Sequence, residues 1–196
     1  SWLKTYDALV MTQDSPEFAE SEAAVRQIGT NAIPHLLYWI RDEPAPWRRT
    51  VRRAIPYPVA DTRLVSFLLE GSDKQGAASS GFIILGTNAA SAIPALLPLI
   101  KDTTHPRTAK RAIASLSFLG PAAFPALTNS LADRSQPFRT TIAIYLGAFM
   151  APDVGTNTVL PPLNAALNDP DPEVQRTVAY AVKRLTSDPS TDAHHQ

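Results

Sequence analysis

Ile93-Pro94-Ala95-Leu96-Leu97-Pro98-Leu99-Ile100 recurs in altered form three more times along the chain, without gaps. The copies are Ile33-Pro34-His35-Leu36-Leu37-Tyr38-Trp39-Ile40, Phe124-Pro125-Ala126-Leu127-Thr128-Asn129-Ser130-Leu131 and Leu160-Pro161-Pro162-Leu163-Asn164-Ala165-Ala166-Leu167. Each carries an apolar residue before a proline, Leu two after it and Ile or Leu six after it. Apolar positions at i, i+3 and i+7 share one face of a helix. The proline falls in the first turn, where its missing N–H costs nothing. Each copy reaches an aspartate eight residues after the proline: Asp42, Asp102, Asp133 and Asp169. A further proline follows within a few residues (Pro44, Pro106, Pro137, Pro170) and blocks continuation of the helix.

A second helix precedes most of these segments, over Glu17 to Ile28, Asp73 to Leu85, Arg107 to Leu119 and Phe138 to Phe149. Gly29, Gly86 and Gly120 follow the last strong apolar residue of three of them, and Gly147 lies near the same point in the fourth. Glycine beyond a helix end takes the left-handed conformation that closes the last turn. A final helix, Pro172 to Leu185, opens on Asp171-Pro172-Glu173: an N-cap, proline at the first position and an acidic first turn. Prolines 34, 94, 125 and 161 stand 60, 31 and 36 residues apart. The longer interval leaves room for a degenerate unit running from Trp47 to Ile55, through Pro56-Tyr57-Pro58, to Thr62 to Glu70.

The whole reads as one domain over 1–186, with repeats at 17–43, 46–71, 73–102, 106–133 and 136–169, a closing helix at 171–186 and a polar tail at 187–196. Eighteen prolines against eight glycines agree with many helix starts. A hydrophobic share of 44% supports a continuous core.

An apolar-Pro-x-Leu helix ending in Asp before Pro, alternating with a helix rich in Ala, Val and Arg, resembles HEAT repeats, in particular the short bacterial kind. Asn168-Asp169-Pro170-Asp171-Pro172-Glu173-Val174-Gln175-Arg176 resembles that family's inter-repeat turn, with Gln175 where Arg is common. The resemblance covers residues 17 to 185. It implies an all-α fold, a right-handed α-solenoid of about five antiparallel helix pairs. It also implies a protein-interaction scaffold, because such stacks present long surfaces built from successive repeats. The family's geometry implies that the Pro-started helices line that surface, with His35, Tyr38, Asn129, Asn164 and Asn168 among its reading positions.

Other chemistry finds little support in the residues. The absence of cysteine excludes disulfides, thiolate metal sites and cysteine nucleophiles. No His-Glu dipeptide of the kind some HEAT-like proteins use for iron occurs: Leu36 follows His35 and Pro106 follows His105. His194 and His195 lie in the polar tail. Gly-x-Ser-x-Gly, phosphate-loop and dinucleotide fingerprints are lacking. Glu17, Glu20 and Glu22 suit a helix start rather than an acid/base pair. No catalytic residue, cofactor or metal site is therefore expected.

The sharpest local feature is Trp47-Arg48-Arg49-Thr50-Val51-Arg52-Arg53, with Arg41 and Arg63 near it. One reading is a phosphate-gripping patch, as in HEAT-like DNA glycosylases. The stronger one is a solvated helix face in which Trp47 and Val51 pack inward. Equal counts of 18 basic and 18 acidic residues give no global attraction to nucleic acid or to an anionic membrane. Aromatic residues concentrate in the first third. Because Trp, Tyr and Arg dominate binding hot spots, the candidate binding residues are Tyr38, Trp47, Arg48, Arg49, Arg52 and Arg53.

Three functions compete. A monomeric scaffold predicts a groove fitted to a protein partner. A nucleic-acid binder predicts aligned arginines and steep salt dependence. An enzyme, such as the bilin-attaching lyases among HEAT proteins, predicts a deep pocket with converging His, Tyr and carboxylates. The first is favoured. No run of about 18 apolar residues is evident, so no membrane contact is expected. Ser1 in place of Met reads as a processed start. Ser1-Trp2-Leu3-Lys4-Thr5-Tyr6 resembles a segment that follows a hydrophobic anchor in some bacterial HEAT proteins, which implies an extracytoplasmic location; without an anchor the location is cytoplasmic.

Overall fold

The computed structural model describes residues 16–42, 73–148 and 156–186, and every described regular element is helical. We label the α-helices α1 (Pro16–Ile28), α2 (Ile33–Arg41), α3 (Asp73–Leu85), α4 (Ile93–Leu96, continued by a 3-10 helix over Leu97–Lys101), α5 (Pro106–Phe118), α6 (Phe124–Ala132), α7 (Arg139–Ala148), α8 (Thr156–Ala166) and α9 (Pro172–Thr186). The unit expected at 46–71 lies outside the described residues. The chain forms two compact units, Ser1–Leu85 and Gly86–Gln196.

Gly29, Gly86 and Gly120 have φ of 58°, 51° and 77°. The chain thus leaves α1, α3 and α5 through a left-handed glycine and enters a short turn before the next proline-bearing helix. Gly120 is held twice over: a Cβ there would also stand 2.7 Å from Thr87 Cγ2. The residues before these next helices are Ala32, Ala92 and Ala123, all already helical in backbone and without a side-chain cap. The turn itself makes cap residues unnecessary. Ala123 N–H donates to Gly120 O at 3.0 Å and Phe124 N–H to Pro121 O at 3.3 Å, so these donors are satisfied by backbone.

The helix ends follow the aspartate rule closely. Asp42, Asp102 and Asp133 are C-caps with nearly identical extended backbones, φ/ψ of −69°/103°, −74°/101° and −73°/103°. Asp102 Oδ1 accepts Thr104 N–H at 2.9 Å, Asp133 Oδ1 accepts Ser135 N–H at 3.0 Å, and Asp169 Oδ1 accepts Asp171 N–H at 3.0 Å. An aspartate side chain bonding its own backbone two residues on makes a tight turn without glycine.

Within the first unit, α3 packs on α2 and α1 around Val25, Leu36, Ile40 and Phe82. Gly81 lets α2 approach closely, because a Cβ at Gly81 would fall 2.6 Å from Leu36 Cδ2. Within the second unit, α7 packs against both α5 and α9, while α8 packs against α6 and α9. Consecutive helices thus pair, and pairs stack on pairs. The shared core is Leu96, Ile100, Ile113, Leu116, Leu127, Leu131, Ile142, Leu146, Val159, Leu163, Val178 and Ala181. Its members come from every helix of the unit, as expected of an α-solenoid.

Three sequence expectations need correction. Gly147 does not end a helix: it lies inside α7, and a Cβ there would overlap the Ala181 methyl and stand 2.7 Å from Ala181 Cα. Its smallness serves the approach of α7 to α9. Second, α8 begins at Thr156, so Pro161 and Pro162 sit inside it rather than in its first turn. Two backbone donors of the helix are thereby missing. Third, the helical stretch Ala77–Lys101 is long and apolar enough to cross a bilayer by length and composition alone. Gly86 and the non-helical Ala89 (φ −93°, ψ 15°) interrupt it. The α-helix that enters this stretch, α3, has thirteen residues counted from Asp73 and ends at Leu85, against the roughly 20 residues a span requires.

Candidate functional site

The apolar stripe of α9 is Val174, Val178, Ala181 and Leu185, all buried. Tyr180 lies off that stripe and is 68% exposed. In α7 the run Ile142-Ala143-Ile144-Tyr145-Leu146 is apolar at every position, and a helix has only one inward face. Ile142, Ala143 and Leu146 take it, leaving Ile144 45% exposed. Glu173, Arg176, Thr177 and Tyr180 succeed one another at helical spacing along α9. With Ile144 they line a shallow groove of about 500 Å³ between α7 and α9.

The end of the groove at Glu173 is fixed by the start of α9. Asp171 Oδ1 accepts Glu173 N–H at 2.9 Å, the N-cap read from sequence. Arg176 Nε–H donates to Pro172 O at 3.2 Å, which holds the guanidinium along the helix. Among the described residues, the Glu173 carboxylate and the terminal guanidinium nitrogens of Arg176 carry no bond.

One turn beyond Tyr180 along α9, Arg184 donates to Gly147 O of α7 and ties the two helices together. Farther along the stack, Arg139 ties three elements. Its Nε–H donates to Leu131 O at 2.8 Å, and Nη1 donates to Asp169 Oδ1 at 3.0 Å while Nη2 pairs with Asp169 Oδ2. Both side chains are buried, at 9% and 6% exposure. At the preceding aspartate turn, Asp133 Oδ2 instead accepts from Lys101 Nζ at 2.9 Å, and that pair is exposed.

Three carboxylates stand well below their ordinary range, and each belongs to a turn. Asp102 is lowered to about 2 by the Thr104 hydroxyl and then by His105, whose Nδ1 lies 2.8 Å from Asp102 Oδ2. Asp133 is lowered by the Ser135 hydroxyl and by Lys101, and Asp169 chiefly by Arg139. Hydrogen bonds to the charged form favour it. These groups are fixed as anions that hold turns; a general acid requires the opposite shift.

Tyr38 is 69% exposed on α2, with His35 exposed on the same helix. Trp47, Arg48, Arg49, Arg52 and Arg53 lie outside the described residues. Asn129, Asn164 and Asn168 are exposed, but the groove lies on α7 and α9 rather than on α6 and α8, which carry Asn129 and Asn164. Glu22 pairs with Arg26 at 2.6 Å, one turn along α1. Among the described residues, no group of three or more His, Asp or Glu is placed to hold a metal ion. The groove residues were missed in the sequence, although two signals were present: an aromatic off the stripe of α9, and more apolar residues in α7 than one face can bury.

Comparison with known proteins gives one positive finding. The family model for the HEAT repeat matches residues 159–188, which take in most of α8, the Asp169 turn and α9. None of the curated proteins matches the chain.

Proposed function

We propose that this chain, whose described regular elements are all helical and whose α8 and α9 match the HEAT repeat, is a protein-binding module whose groove between α7 and α9 receives a partner. HEAT repeats in general form scaffolds that bind proteins, and a shallow groove on the helix surface suits that use.

The observation that carries the reading is the joint exposure of Tyr180 and Ile144 beside Arg176. Large apolar side chains left in water lose free energy that a partner restores, at about 25 cal/mol per Å² covered. Tyrosine and arginine at one spot are the residue types that dominate binding hot spots.

The chain acts as a monomer in this reading. The test is capture of partner proteins on the immobilised chain, comparing the native chain with Tyr180→Ala after nuclease treatment. A protein retained by the native chain and lost with Tyr180→Ala supports the proposal. Retention of nucleic acid, released by moderate salt and indifferent to Tyr180, would refute it in favour of the Arg48–Arg53 cluster.

A further inference from the structure

We infer that the occupant of the α7–α9 groove is a short segment of a partner protein carrying one large apolar side chain, an acidic residue for Arg176 and a basic residue for Glu173. The inference rests on the docking role given to the groove above and adds the chemistry of what docks.

Charge decides first. The groove presents one carboxylate and one guanidinium on α9, Glu173 and Arg176, neither end group bonded among the described residues. They are three residues apart and so lie on neighbouring positions of the helix surface. A phosphate backbone is attracted by one and repelled by the other, so nucleic acid gains nothing here. An anionic lipid surface meets the same cancellation. A segment with both signs, placed in opposite order, satisfies both groups at once.

Size decides next. A stable pair of folded surfaces covers about 800 Å² on each partner, some 20–30 residues a side. Five residues line this groove, too few for a second copy of the chain packed through it alone. The groove is also shallow, whereas small-molecule sites enclose about 70–90% of their ligand. One anchoring side chain with its neighbours is what fits.

Spacing then orders the contacts. Glu173 to Tyr180 spans seven residues, about 10 Å along α9 at 1.5 Å per residue. An extended segment laid beside it covers that length with about three or four residues. The apolar anchor sits between Tyr180 and Ile144, the acidic residue follows at Arg176 about 6 Å away, and the basic residue at Glu173 beyond it. Thr177 lies between, with a hydroxyl for the segment's backbone.

A random dodecapeptide display library panned on the whole chain tests this. The enriched peptides then go as synthetic fluorescent probes to the native chain and to Tyr180→Ala, Arg176→Glu and Glu173→Lys. The expected set carries an aromatic or aliphatic residue within four positions of an acidic one. Arg176→Glu weakens these peptides at least tenfold, and replacing their acidic residue with lysine restores binding to that variant. Circular dichroism of each variant matches the native chain, because all three positions are exposed.

An enriched set without acidic residues, or no enrichment at all, overturns the inference. So does indifference to Arg176→Glu. If Tyr180→Ala still abolishes binding in the first or last of these cases, the docking role survives and only its occupant was misassigned. If Tyr180→Ala binds as the native chain does, both fall together.

Discussion

Replacing Gly147 with alanine sets two physical effects against each other with opposite sign. In an exposed helix interior the change stabilises by about 1 kcal/mol, because alanine loses less backbone entropy. In α7 the new methyl would overlap that of Ala181 and stand 2.7 Å from its Cα. Carbon atoms rest at about 3.5–4.0 Å, so α7 and α9 must separate by roughly 1 Å. The neighbour is backbone, which cannot swing aside as a long side chain would. Overpacking of this kind costs about 1–3 kcal/mol. Separation also stretches the bond from Arg184 to Gly147 O, and a hydrogen bond from a charged donor is worth about 1.5–3 kcal/mol. The net expectation is destabilisation by about 1.5–5 kcal/mol, summing the overlap and the strained bond against the propensity gain. Urea denaturation followed by far-UV circular dichroism measures it. Ala181→Gly on the same chain restores clearance, so the double variant should recover at least about 1 kcal/mol beyond additivity. A neutral or stabilising Gly147→Ala, or an additive cycle, would refute the close crossing.

Asp169→Ala leaves the Arg139 guanidinium buried without its carboxylate and should cost about 3–5 kcal/mol, whereas Lys101→Ala removes an exposed pair and should cost less than about 1 kcal/mol; equal effects in urea denaturation would contradict the difference in burial. Acid should weaken the fold in a defined window. Asp102, Asp133 and Asp169 all titrate lower when folded than when unfolded, so they contribute stability that is complete above the unfolded value of about 3.9 and is lost as pH falls through the folded values. The urea midpoint should hold between about pH 7 and 5 and fall steadily below about 4, with a shallower fall in Asp169→Asn; a midpoint rising toward pH 3 would be the wrong sign.

Much of the fold was legible because its punctuation is chemical. Left-handed φ at Gly29, Gly86 and Gly120 and the extended backbone at Asp42, Asp102 and Asp133 follow from single residue types. Such residues act locally, so spacing alone locates them. Gly147 was misread because the same residue type also serves close packing, and only Ala181, on another helix, reveals which role applies. The start of α8 was misread for a related reason. A proline is compatible with a first turn but does not prohibit helix before it, and Thr156 to Leu160 supply one. The groove was harder still. Ile144 is exposed because α7 holds more apolar residues than its inward face accommodates, and which of them loses depends on the rotation of α7 against α5 and α9. That rotation is a tertiary quantity with no local sign in the sequence.

The residues that build the stack and those that line the groove are therefore separate sets. Turns use Gly120, Asp102, Asp133 and Asp169; the core uses Leu127, Ile142, Leu146, Val178 and Ala181; the lock between turns uses Arg139. Ile144, Arg176, Thr177 and Tyr180 belong to none of these. Glu173 contributes only its backbone N–H, to the Asp171 cap, which any residue but proline supplies. The groove can thus change in charge and shape while the stack stays intact, and this independence gives the docking proposal its force. A variant at Tyr180 or Arg176 that loses a partner has lost recognition, because nothing holding the helices together passes through either side chain's end group.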